Sequence, residues 1–331
     1  IPLRRAKANS PPLGRSGRGG DEGEGGIAMK SGSNLERVLE SGTFAVTAEI
    51  APPKSTSTEG MRKKVRALMG CAEAFNLTDN QTAIVRLSSM ASSVACLQEG
   101  AEPVMQMTCR DRNRIAMQSD LLGAASLGIK NVLCLSGDHQ TFGNQKEARN
   151  VYDIDPIQQL MVFRQMRDQG LVWGGDTIEE RPKVYLGAAA NPFADPFEYR
   201  VARLAKKVKA GADFVQTQAI FDLERFERFM TDVRARRLDE QVHILAGVVP
   251  LKSANAARYM KTKVSGMSVP DEVLERMKSA SDPKKEGIKI CVETIDHLRT
   301  IPGVHGVHIM AIGWEEMVPT IAEQSGLLPR P

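Results

Sequence analysis

The chain has 331 residues, of which 42% are hydrophobic, so it can bury a large core as one big α/β domain or two smaller ones. Its 44 basic and 40 acidic residues leave a net charge of only +4, and nothing in that balance calls for nucleic acid or an anionic membrane as partner. Small molecules or proteins are the expected partners. The cysteines Cys71, Cys96, Cys109, Cys134 and Cys291 form no CxxC pair, which fits reduced thiols in a cytoplasm better than a disulfide framework. No apolar run approaches the ~20 residues of a membrane span, and no signal-peptide h-region is present.

Residues 1–28 hold seven glycines and three prolines with Arg4, Arg5, Lys7, Arg15 and Arg18 dispersed among them. Such a composition predicts a disordered extension. The character changes at Met29, from which a single domain is expected to run over 29–331. A short helix is predicted at Asn34 to Glu40, placed to cover the bottom of the fold. Strands are then predicted at Phe44 to Ile50, Ala72 to Leu77, Pro103 to Met107, Asn131 to Leu135, Val184 to Ala189, Asp213 to Thr217, His243 to Gly247 and Gly306 to Ala311. Helical patterns separate them near 58–69, 90–99, 111–127, 156–169, 197–210, 223–236, 253–262 and 284–299, and Glu315 to Ser325 reads as one further helix. Eight βα units predict a closed (β/α)₈ TIM barrel, although a large doubly wound sheet gives similar periodicity.

In a barrel, functional groups gather where the strands end. The first strand ends in Ala48-Glu49-Ile50-Ala51-Pro52-Pro53. Burial of that carboxyl would suit a general acid, and a salt-bridged glutamate is the plainer alternative. The fourth strand ends in Leu135-Ser136-Gly137-Asp138-His139 ahead of a long loop, where Asp138 suits either a heterocycle or an ordinary turn. The fifth runs into Ala188-Ala189-Ala190-Asn191, small side chains suited to a flat ligand or to tight helix packing. On the following helix an apolar stripe of Phe197, Val201, Leu204 and Val208 leaves Arg200, Arg203, Lys206 and Lys207 on other faces, either as phosphate contacts or as a solvated surface. Gly211 ends that helix, and Gln218 then closes the sixth strand, able both to donate and to accept hydrogen bonds. There is no GxGxxG after a strand and no GxxxxGK[ST]. His305 and His308 fall on opposite faces of a strand and make poor joint metal ligands, so no metal is expected.

The segments AEIAPP, MTCRDRN, LSGD and KKVKAGADFVQTQAIFD leading into LAGVVPL occur in an order and spacing that resemble the methylenetetrahydrofolate reductase family. The resemblance covers Phe44 to about Trp314, and the compact length and the ending HIMAIGWEEMVPTI look like the short forms of acetogenic and related anaerobic bacteria. It implies a cytoplasmic, flavin-dependent oxidoreductase carrying FAD, which reduces 5,10-methylenetetrahydrofolate to 5-methyltetrahydrofolate in one-carbon metabolism and methionine biosynthesis. On that likeness Glu49 is the general acid that opens the methylene bridge to an iminium cation, Asp138 sits near both flavin and folate, and Gln218 holds the pterin. Thr78, Gln106, Gly137, Asp138, Tyr152, Ala189, Asp195, Arg203 and Lys207 are implied at cofactor positions, with Thr78 also on the substrate side.

The chain departs from the family pattern at several of these places. Gln106 stands for a histidine, Ser136 for an arginine, Asn191 for a tyrosine, Met260 for an aromatic residue and Trp314 for an arginine. The likeness also implies NAD(P)H or a redox partner protein, such as a zinc-containing subunit, as electron donor, and a homo- or hetero-oligomer. Two other readings fit part of the same residues. One is a non-catalytic folate- or flavin-binding subunit of a redox complex, and the other is an unrelated barrel enzyme holding a phosphate at Gly247 and Gly313.

Overall fold

The computed structural model describes residues 29–264 and 266–331. The expected extension at 1–28 lies outside the described residues. Eight parallel strands close a barrel in sequence order: β1 (Ala45–Ile50), β2 (Ala74–Leu77), β3 (Pro103–Thr108), β4 (Asn131–Leu135), β5 (Tyr185–Ala190), β6 (Phe214–Ala219), β7 (His243–Val248) and β8 (Gly306–Ile309). The closing pair sets Thr47 of β1 opposite His308 of β8. This is a (β/α)₈ barrel and not an open doubly wound sheet.

Helix α1 (Asn34–Glu40) precedes the barrel. The crossover helices are α2 (Glu59–Leu68), α3 (Ser89–Gln98), α4 (Arg114–Ser126), α5 (Pro156–Gln169), α6 (Tyr199–Ala210), α7 (Leu223–Ala235) and α8 (Ala254–Lys263). They are followed by α9 (Asp271–Ser279) and α10 (Pro283–Leu298), and α11 (Val318–Gln324) follows β8 after a single 3₁₀ turn at Glu315–Met317. Helix α9 has no counterpart among the helices expected from the sequence. Its Leu274 and Met277 pack inward with Met260 and Ile290, in a small cluster that the β7 to β8 connection builds beside the barrel.

Capping chemistry sets several helix starts. Ser33 accepts from the Glu36 N–H at the head of α1, and Asp155 with Gln158 forms a reciprocal capping box at α5, with Pro156 at its first position. Gly211, at φ 115°, ends α6 in the left-handed conformation that a side chain would strain.

Helix α1 plugs the N-terminal end of the barrel. Leu35, Val38 and Leu39 pack on Val104, Leu133, Tyr185, Phe214 and Leu245, and the Tyr185 and Phe214 rings stack 5.4 Å apart. With that end sealed by hydrocarbon, the strand C-termini form the open end. Among the described residues no helix is long and apolar enough to cross a membrane.

Candidate active site

A cavity of about 440 Å³ opens at the C-terminal ends of the strands. Glu49 of β1, Gln106 of β3, Ser136 and Asp138 after β4, Ala189 and Asn191 at the end of β5, Gln218 of β6, and Arg200, Arg203 and Lys207 of α6 all line it. Five strands and one helix therefore deliver candidate groups to one space, as the barrel geometry requires.

Glu49 is half-buried, and its Oε2 lies 3.9 Å from Nε2 of His308 on the neighbouring strand. From the sequence, His308 is expected only to be a poor metal ligand. Its strand register was the available signal, because a histidine paired beside Thr47 on an inward-facing position must enter the barrel. There it forms part of a polar layer with Thr47, Asn76 and Gln216, all buried.

Strand β6 carries a register irregularity between Gln216 and Ala219. An extra residue of this kind bends a strand and re-aims its side chains. Gln216 bonds within the layer, whereas Gln218 lines the mouth and its Oε1 accepts from the Ala219 N–H at 3.2 Å. Thr217 accepts the Gly247 N–H at 2.9 Å. That N–H is thus engaged and is not a free phosphate donor.

Asp138 is held from two loops. Its Oδ2 accepts from the Thr82 N–H at 2.7 Å, and its carbonyl accepts from Arg110 Nη1 at 3.0 Å. Arg110 is buried and also donates to the Asn80 carbonyl at 3.3 Å, while Asp79 accepts from the Thr108 N–H and hydroxyl and from Arg112. The MTCRDRN segment is in this way a brace that ties the β2, β3 and β4 loops together. Gly137, at φ 80°, turns the chain where a Cβ would come within 3.0 Å of Thr108.

On α6 the buried positions are Val201, Leu204, Lys207 and Ala210. The expected placement of Lys207 away from the packed face is therefore corrected. The whole side chain is buried, and its ammonium donates to the Ala189 carbonyl. Burial, reinforced by neighbouring Arg203, pushes the Lys207 ammonium down to about 8. Lys206 is exposed, as a solvated face predicts.

Several expected cofactor positions do not line this cavity. Thr78 is buried, with its hydroxyl bonded to Gln81. Tyr152 is exposed in the β4 to α5 loop at φ 41°, and Asp195 is exposed and paired with Arg225 at 2.9 Å. Asn191, standing for a tyrosine, uses its side chain locally and accepts from the Phe193 and Ala194 N–H groups. Trp314 is buried, with the Lys252 ammonium 5.7 Å from its ring centre.

An eight-stranded barrel sealed below and open above, with carboxylates, amides and cations around its mouth, defines a (β/α)₈-barrel protein with a polar cavity at the strand C-termini. The particular family follows from sequence. The chain belongs to the methylenetetrahydrofolate reductase family, whose model matches residues 34–326. It is 28% identical over 68% of its length to methylenetetrahydrofolate reductase 2 of Schizosaccharomyces pombe, and covers 36% of that protein. To a probable methylenetetrahydrofolate reductase (NADPH) of Caenorhabditis elegans it is 23% identical over 88% of its length, covering 44% of the relative. The chain thus spans less than half the length of these two curated relatives. Among solved structures, an uncharacterized protein from Clostridium thermocellum that binds two copies of 5-methyl-5,6,7,8-tetrahydrofolic acid superposes with a TM-score of 0.61. At 14% identity, over 88% of this chain and 98% of that one, the likeness is one of fold.

Proposed function

We propose that this chain catalyses flavin-dependent reduction of 5,10-methylenetetrahydrofolate to 5-methyltetrahydrofolate. The observation that carries the reading is the convergence of Glu49, Asp138 and Gln218 from three strands on one cavity flanked by Arg203 and Lys207. Family membership supplies the reaction class.

The residues present fit a flavin. Ala189 and Ala190 offer a low wall for a flat ring, and Lys207 brings a largely buried ammonium to the same wall. Arg203 and Lys207, one helical turn apart, would grip the phosphate of FAD, with Gln106, Ser136 and the Gly137–Asp138 turn beside the ring. When bound, the reduced flavin supplies the hydride.

The chain's own groups do the rest. Glu49 gives a proton to the folate nitrogen released as the methylene bridge opens, and proton transfer of this kind contributes roughly 10²–10⁴ in rate. The Asp138 carboxylate faces the cation that results, and Gln218 matches the donor and acceptor edge of the pterin. Holding hydride donor and acceptor together provides much of the remaining acceleration.

Electrons enter from NAD(P)H or from a redox partner protein, for which a zinc-containing subunit and an oligomeric assembly are the forms the family likeness suggests. This reading puts the protein in cytoplasmic one-carbon metabolism, with its product the methyl source for methionine. The test is spectral. Purified protein supplied with FAD should bleach anaerobically with NADH, NADPH or dithionite and regain its colour on addition of methylenetetrahydrofolate. A protein that takes up no flavin would overturn the proposal, and one that binds flavin but is never reoxidised by the folate would mark a binding subunit.

A further inference from the structure

TIM-barrel interiors are ordinarily filled by branched apolar side chains. Here one interior layer is polar: Thr47, Asn76, Gln216 and His308, from β1, β2, β6 and β8, are each at most 3% exposed. Asn76 and Gln216 form a reciprocal amide pair, Asn76 Nδ2 donating to Gln216 Oε1 at 2.6 Å and Gln216 Nε2 donating to Asn76 Oδ1 at 3.0 Å. The second hydrogen of Gln216 Nε2 is directed to Thr47 Oγ1 at 3.0 Å, with His308 Nδ1 at 3.4 Å. Thr47 Oγ1 accepts this hydrogen, and among the described residues its own hydroxyl proton has no acceptor other than His308 Nδ1, 2.9 Å away; the Gln216 amide approaching the same Nδ1 likewise favours an accepting nitrogen there.

The consequence falls on the other ring nitrogen. A neutral imidazole that accepts at Nδ1 carries its proton at Nε2. Nε2 is the atom 3.9 Å from Glu49 Oε2. We propose that the Asn76–Gln216 amide pair positions the catalytic acid at one remove, by fixing His308 in the Nε2–H form so that an N–H donor faces Glu49. This rests on the reading of Glu49 as the acid. Once Glu49 has given up its proton, the fixed N–H steadies the carboxylate without any reorganisation of the barrel interior. Asn76 and Thr47 lie outside the cavity lining and Gln216 borders it; each is argued to act through His308, so all three are positioning residues.

The tautomer is read directly by long-range ¹H–¹⁵N correlation spectra of the full chain labelled with ¹⁵N-histidine, using His308→Gln to assign the resonance. No folate is needed, so the result stands whether or not Glu49 proves to be the acid. The native protein should show His308 as a single Nε2–H form, and Gln216→Met should replace it with a tautomer mixture. Because Gln216→Met leaves Asn76 buried without a partner, the Asn76→Leu/Gln216→Met pair provides a variant with no orphaned amide, and it should lose the single form as well. In whichever of these variants folds, reoxidation by methylenetetrahydrofolate should slow by about tenfold or more while reduction of the flavin is unchanged. An Nδ1–H or doubly protonated His308 in the native protein would overturn the proposal, as would a pure Nε2–H form persisting in the variants.

Discussion

The Thr82 backbone N–H donates to the Asp138 carboxylate at 2.7 Å, joining the loop after β2 to the loop after β4 across the mouth of the barrel. Both residues are exposed, so the bond contributes little to global stability, and its effect is to aim a carboxylate. Asp138→Ala should leave the melting temperature nearly unchanged, with about 0.5 kcal/mol lost, yet should speed amide exchange at Thr82 and depress folate turnover. Asp138→Asn keeps an acceptor for the same N–H, so it should retain the exchange protection while losing the charge that faces the folate cation. Hydrogen exchange by mass spectrometry, paired with turnover, separates the two roles.

Lys207 gives a pH dependence whose sign is fixed. Its ammonium, at about 8 in the folded chain, is depressed from an ordinary 10.5. Between those values the unfolded chain keeps a proton that the folded chain has released, so this group's contribution to stability rises with pH through the window of about 8 to 10.5. Lys207→Met should remove that rise, and the variant should gain most against the native protein below pH 8, where the buried charge is fully present. Denaturant melts across pH 7 to 10.5 check the difference.

Flavin affinity should move the opposite way. A neutral Lys207 offers no charge to a phosphate, so the native protein's affinity for FAD should fall as pH rises above about 8. In Lys207→Met, affinity should be weaker by roughly tenfold at pH 7 and nearly flat over the same range. Quenching of flavin fluorescence measures both.

The sealed end should be separable from the open one. Leu35 is fully buried where α1 caps the barrel, on the opposite side from the cavity. Leu35→Ala should cost about 3 kcal/mol in a denaturant melt, from lost burial and the void left behind. Flavin affinity measured well below the transition should stay within about twofold of native, a difference of under ~0.5 kcal/mol.

The strand and helix alternation made the barrel readable, because each βα unit carries its own apolar periodicity, which a local reading detects. Glu49 was visible because it is a charged residue near the end of an otherwise mostly apolar strand, and Gln218 because it belongs to a run of uncharged polar residues at a strand exit. What escaped notice depends on closure. His308 and Thr47 are far apart in the chain and become neighbours only when β8 pairs with β1, so the polar layer has no local signature. Lys207 was misplaced because helical periodicity reports which side chains are apolar, whereas a long stem with a charged tip can be buried too. The α9 helix was missed because it packs on a satellite cluster beside the barrel and answers to no strand.

Replacing Glu49 with Gln tests the account most directly, since the side chain keeps its size and loses its acid proton. In anaerobic stopped-flow experiments on the flavin-loaded protein, reduction of the flavin should proceed at the native rate, and reoxidation by methylenetetrahydrofolate should fall by about 10²-fold or more. Native-rate reoxidation in Glu49→Gln would contradict the role assigned to this residue and, with it, the proposed chemistry of the site.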